Sequence, residues 1–219
     1  MAHVNSINNA TSKLTIDPGA SGNSFVQFNV NASSKFIVGI DDSASDVFKI
    51  SQGSALGTND TFIMNSSGVP RMPLQAAFLG YLPSTDTNAT GDTTQYTLGG
   101  TTALTKVFDQ GTNFTTAGVF TAPVTGRYHL SGMIYLGALT SSNNLATIDI
   151  VTTATIYDIN FNCSSVISSG KLSIGINTMA SMTAGDTAFV RTRAEGTSKV
   201  VSVLGGANAN SSFSGYLVC

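Results

Sequence analysis

The sequence predicts an all-β fold, and three observations carry that expectation. Ser, Thr and Asn make up about a third of the 219 residues and Gly adds 22, which suits short strands joined by many turns. Residues that favour helices are scarce: Glu195 is the only Glu, and charged side chains are 10% of the chain. Apolar runs are short, alternate with polar residues and are broken by polar turns about every 8–12 residues.

The first strands fall within residues 1–70. Ser24 to Val30 alternates, with Phe25 on one face and Val26, Phe28 and Val30 on the other. Residues 36–40, 47–50 and 61–64 are further short strands, with Asp41-Asp42-Ser43-Ala44-Ser45-Asp46 as a turn between two of them. So few hairpins are marginal in water on their own. This region is therefore expected to take its core from copies of itself or from a neighbouring protein.

Residues 71–73 read as a linker, because Pro70 and Pro73 lack ladder donors and Gly68 frees the chain to turn. The second region, 74–219, opens with a strand at 74–82. Residues 84–102, rich in Thr, Asn, Asp and Gly, read as a surface excursion. Strands follow at 104–108, 118–122, 127–138, 145–151, 153–162, 171–178, 186–193, 199–204 and 212–218. That many strands over some 145 residues suit a jelly-roll β-sandwich.

Charge and length exclude several functions. The net charge is −2 and the ten Lys and Arg are scattered, so the basic footprint that nucleic acid needs is missing. No apolar stretch nears the ~18 residues that span a bilayer. Residues 1–6 show neither a basic nor an apolar signal segment, so the expectation is release by cell lysis rather than export. Cys163 reads as a small buried residue and Cys219 as a free thiol.

Candidate chemistry is sparse. His129 lies mid-strand without a nucleophile motif, so no catalytic residue is assigned and no enzyme activity is expected. Alternation puts Tyr128, Leu130 and Ile134 toward the core and His129, Met133 and Tyr135 on the other face, as a candidate subunit interface. No cofactor is called for. Asp41, Asp42 and Asp46 could offer oxygens to calcium, but the Gly and Glu of a calcium loop are missing, and a solvated hairpin turn is the plainer reading. Asp86 and Asp92 form a weaker candidate of the same kind.

Two resemblances refine this. Gly118-Val119-Phe120-Thr121-Ala122-Pro123-Val124-Thr125-Gly126-Arg127-Tyr128-His129-Leu130 resembles the signature of the C1q/TNF-like jelly roll. Ala77-Phe78, Val107-Phe108-Asp109 followed by Thr112-Asn113-Phe114, Ala184-Gly185-Asp186 and Phe213-Ser214-Gly215-Tyr216 resemble further elements of that family, in order. The resemblance implies a trimeric head in which Phe78, Phe108, Phe120, Tyr128, Phe213 and Tyr216 belong to the core signature. Pro123, Gly126, Gly185, Asp186 and Gly215 complete it.

Separately, Phe36 to Ser51 is similar to segments of bacteriophage tail fibres and spikes. Together they imply a homotrimeric virion structural protein, assembled in the host cytoplasm, that decorates or cements a capsid or forms a short head fibre. Residues 1–70 would attach and trimerise. The implied partners are itself, other virion proteins and a host surface glycan or protein. The rival readings are a short tail fibre or spike that binds a receptor, and a freestanding C1q-type, lectin-like module.

Overall fold

The computed structural model describes residues 15–19, 21–164, 169–208 and 210–219. It is all-β and divides into two compact units, one ending at Leu74 and the other running from Gln75 to Cys219.

The first unit is a five-stranded antiparallel meander, β1 (Ser24–Val30), β2 (Ser33–Asp41), β3 (Val47–Gln52), β4 (Asp60–Met64) and β5 (Pro70–Arg71). The ladder runs on through Pro70 and Arg71, which pair with Met64 and Ile63, where the sequence suggested a linker. Proline is tolerated there because β5 is an edge strand.

Register sorts the side chains of this sheet onto two unlike faces. Val26, Val38, Ile50 and Phe62 stand in one cross-strand row, flanked by Phe28 with Phe36 and by Ile40, Phe48 and Met64. Phe28 and Phe36 are 55% and 45% exposed, so this face is apolar and open. The other face mixes Phe25, Ile37, Val47 and Ile63 with a buried polar network. Lys49 Nζ lies 2.7 Å from Asp41 Oδ2 and 3.1 Å from Asp60 Oδ2, while the Ser43 and Ser51 hydroxyls donate to the same two carboxylates. Hydrogen bonds from Lys49 and Ser43 hold Asp41 below the usual carboxylate range. Burial pushes Asp60 up, but Ser51, the Gly57 N–H and Lys49 outweigh it and leave it lowered. Lys49 is raised, chiefly by its bond to Asp41.

The second unit is a sandwich of two antiparallel sheets. Its strands are β6 (Ala77–Tyr81), β7 (Asp86–Thr90), β8 (Tyr96–Thr97), β9 (Thr105–Gln110), β10 (Phe120–Thr121) and β11 (Gly126–Gly137). They continue with β12 (Leu145–Thr152), β13 (Ile156–Asn162), β14 (Leu172–Met182), β15 (Thr187–Glu195), β16 (Val201–Val203) and β17 (Ser212–Leu217). One sheet runs β10-β15-β12-β13, with β8 also on β15; the other runs β7-β16-β11-β17-β6-β9, with β14 on the free edge of β11. Neighbours in each sheet are mostly distant in sequence, as in a jelly roll.

The core lies between the sheets. Phe78 stacks on Phe114 at 4.5 Å and on Phe120 at 4.6 Å, and meets Phe213 edge-on at 5.0 Å. Ile148, Ile150 and Val190 close it from the opposite sheet. Gly132 marks the closest approach, since a Cβ there would sit 2.8 Å from a methyl of Val190.

Residues 84–102 are not the surface excursion that their composition suggested. β7 pairs with β16 in one sheet and β8 with β15 in the other, so the segment closes one end of the sandwich. Its buried polar groups are satisfied internally. The buried Asp86 carboxylate accepts from the Tyr96 hydroxyl at 2.5 Å and from the Thr102 hydroxyl and N–H. Burial, then the Asp86 carboxylate, push the Tyr96 phenol far above its usual range.

The Lys49 network gives the first unit a pH window. Its depressed carboxylates contribute stability that is full above their unfolded pKa of about 4 and lost as pH falls through the folded values. Its raised lysine contributes stability that is full below about 10.4 and lost as pH rises through the folded value. Calorimetric unfolding should therefore show a Lys49-dependent plateau through neutrality that falls away in acid and in strong alkali. Lys49→Ala, which leaves the buried Asp41 and the half-buried Asp60 without their cation, should cost about 3 kcal/mol at pH 7.

Candidate functional site

The outer face of the larger sandwich sheet is built by parity. Along β11, Tyr128, Leu130, Gly132, Ile134 and Leu136 are buried, which turns His129, Ser131, Met133 and Tyr135 outward. Tyr128 is locked from below, its hydroxyl donating to the Val124 carbonyl at 2.7 Å, and burial raises its pKa.

Cross-strand pairing extends these outward positions into rows. One row reads Met179, His129, Tyr216, Ala77 and Gln110 across β14, β11, β17, β6 and β9. The next reads Asn177, Ser131, Ser214, Leu79 and Phe108. A third reads Gly175, Met133, Ser212, Tyr81 and Thr105. None of the three contains Asp, Glu, Lys or Arg. Phe108 and Tyr216 are each 49% exposed and Met133 38%. The His129 and Tyr216 rings lie 5.2 Å apart. Phe108, Leu79, His129 and Tyr216 line an apolar depression of about 500 Å³, and Met133 and Tyr135 border a second of about 380 Å³. The Lys171 ammonium stands 6.0 Å from the Tyr135 ring, placing a cation at the margin.

His129, Met133 and Tyr135 thus share one open face. Of the core signature, Phe78, Phe120, Tyr128, Phe213 and Gly215 are buried. Phe108 and Tyr216 are not, and both belong to the outer face. A register shift in the β6–β9 ladder leaves Val107 and Phe108 outside, and Phe114 fills the core position instead. Tyr216 faces outward because Phe213 and Gly215 point in; a Cβ at Gly215 would meet Leu130 at 2.7 Å and Phe78 at 2.9 Å. Counting parity from Phe213 would have found Tyr216; the register shift leaves no comparable mark in the sequence.

The remaining signature residues shape turns. Pro123 is exposed between β10 and β11. Gly126 lets the chain end come close, with the Arg127 N–H donating to the Cys219 carbonyl at 2.8 Å. Gly185 takes a φ of +93°, and the Asp186 carboxylate caps the same turn by accepting from the Thr183 N–H at 2.8 Å. Cys163 is buried, which raises its thiol pKa, and Cys219 is exposed; neither is bonded to the other.

The acidic turn offers no calcium loop. Asp41 points inward to Lys49 and Ser43, while Asp42 accepts from the Gly22 N–H. Among the described residues, no group of three or more His, Cys, Asp or Glu side chains is placed to hold a metal. The buried Asp86 is likewise engaged by Tyr96 and Thr102.

No protein-family model matches the sequence, and no curated protein does. Among solved structures, the chain is similar to the globular domain of zebrafish complement 1qA, with 17% identity over 66% of this chain and 98% of that one and a TM-score of 0.45. It is also similar to the Eiger TNF of S. frugiperda, with 14% identity over 67% and 92% and a TM-score of 0.47. Murine APRIL at pH 5.0 matches with 9% identity over 66% and 99% and a TM-score of 0.47. These identities are too low to carry function.

Substitutions separate core from face. Phe114→Ala should destabilise the second unit by about 3–5 kcal/mol at every protein concentration in urea unfolding. Phe108→Ser and Tyr216→Ser should move the midpoint only in so far as it depends on protein concentration.

Proposed function

We propose that this chain is a homotrimeric structural protein of a bacteriophage virion. Its first unit attaches and trimerises, and its jelly-roll unit projects outward as a head that decorates or cements a capsid or forms a short head fibre. The observation that carries this is the uncharged patch on the outer side of the larger sheet, where the apolar side chains of Phe108, Met133 and Tyr216 stand open in a single copy. Exposed apolar patches of this kind mark association surfaces. A second copy offers the same uncharged chemistry without an opposing charge to desolvate.

The first unit supports the same reading. Its apolar sheet face, with Phe28 and Phe36 open, belongs to a unit too small to bury a core alone. The resemblance of residues 118–130 and of the other matched elements to C1q/TNF-like heads favours three copies. The similarity of Phe36 to Ser51 to phage fibre segments, with the low charge, favours a virion. The work is adhesive and mechanical rather than catalytic.

Two measurements test this reading. Met133→Asp would crowd like charges at the association face, and should yield a folded single chain by circular dichroism and sedimentation. Mass spectrometry of purified virions should find the chain, and labelled micrographs should place it on the particle. A label confined to the tail tip would replace the capsid role with receptor binding, and particles lacking the chain would overturn the virion assignment.

A further inference from the structure

The second unit carries a polar trough on the side formed by the other sheet. A cleft of about 540 Å³ lies between β7 and β8, and a groove of about 220 Å³ runs over the outward side chains of β12, β13 and β15. Gln95 lines both, so the two join at that residue.

Gln95 is held in place. The Arg191 guanidinium donates from Nη1 to the Gln95 side-chain oxygen at 3.0 Å, and from Nε to Asp149 Oδ2 at 2.8 Å. Its Nη2 stands 2.7 Å from the same carboxylate. Asp149 is buried, so the chain Asp149–Arg191–Gln95 is anchored at its far end. With the amide oxygen occupied, the Gln95 NH₂ presents two donors at the junction. The cleft floor is fixed as well, by Asp86 and its bonds from Tyr96 and Thr102.

Lining chemistry selects the ligand. Asp86, Asp149 and Asp158 are balanced by Lys199, Arg191 and Arg193, so the trough presents no net charge. Between them stand the side chains of Thr87, Thr97, Thr101, Thr147, Asn88 and Asn160, which both donate and accept. Donors and acceptors along an extended channel without net charge match the hydroxyls of a polysaccharide. The only aromatic residue in the lining, Tyr96, is buried with its hydroxyl spent on Asp86, so stacking adds little.

We propose that this trough binds a neutral oligosaccharide chain, with Gln95 donating to a sugar hydroxyl where the two clefts meet and Arg191 acting as its positioning residue. The assignment is independent of the virion reading and of copy number.

The test is saturation-transfer NMR on the full-length chain with maltohexaose, isomaltohexaose and mannohexaose as neutral probes, and a hyaluronan hexasaccharide as the acidic one. Transfer to at least one neutral probe is expected, lost in Gln95→Ala and in Gln95→Glu, which keeps the shape but removes the donors. Arg191→Met should weaken it at least threefold, while Gln27→Ala in the first unit should leave it unchanged. Transfer to none of the neutral probes, to the hyaluronan probe alone, or undiminished in Gln95→Ala would overturn the proposal. The solution mass of the same samples reports on trimerisation separately.

Discussion

The twelve residues of β11 must satisfy an apolar inner face and an outer face that carries Met133 and Tyr135, and most of the second unit follows from that. Inward, Tyr128, Leu130, Ile134 and Leu136 need a second sheet to cover them, and β12 and β15 supply it with Ile148, Ile150 and Val190. Gly132 lets the two sheets close to packing distance at the centre of the strand. Outward, His129, Met133 and Tyr135 cannot be covered by the same device, because the sandwich has only two layers. Strands β14 and β17 flank β11 and widen the problem, adding Met179 and Tyr216 to the open side. Burial is worth about 25 cal/mol per Å² of apolar surface, so a face of this size favours association. A second copy is the covering that introduces no new chemistry.

The first unit meets the same constraint with one sheet instead of two. One face carries Lys49 between Asp41 and Asp60, a buried arrangement that fixes strand register because any slip would strand a charge. Its apolar face has no second layer within the meander. The two units thus share a design in which one side of a sheet is settled by the chain itself and the other is left to association. On the proposed reading, attachment and trimerisation by the first unit and trimerisation of the head are two uses of that arrangement.

Much of this is legible in the sequence, and the failures have definite causes. Alternation along residues 126–137 is enough by itself to separate His129, Met133 and Tyr135 from the core-facing set, and the strands of the sandwich fall close to where turns and apolar runs put them. Phe108 escapes the pattern because its ladder shifts register, an event set by tertiary pairing rather than by local sequence. Phe114, which takes its place, lies outside any strand, so periodicity cannot mark it. The segment 84–102 looks like a solvated loop because Thr, Asn and Asp usually are; here Asp86, Thr90 and Tyr96 find their partners inside the protein. The junction at Gln95 is illegible for a related reason. It joins residues from β8, β12 and β15 that no spacing rule connects.

The most direct test of the central claim is the solution mass of the full-length chain by light scattering across a range of concentrations. The proposed trimer predicts a mass near three times that of the 22.6 kDa chain, held to low micromolar protein. A single-chain mass at all concentrations, with the sandwich folded, would show that Phe108, Met133 and Tyr216 are tolerated in water, and would contradict the account.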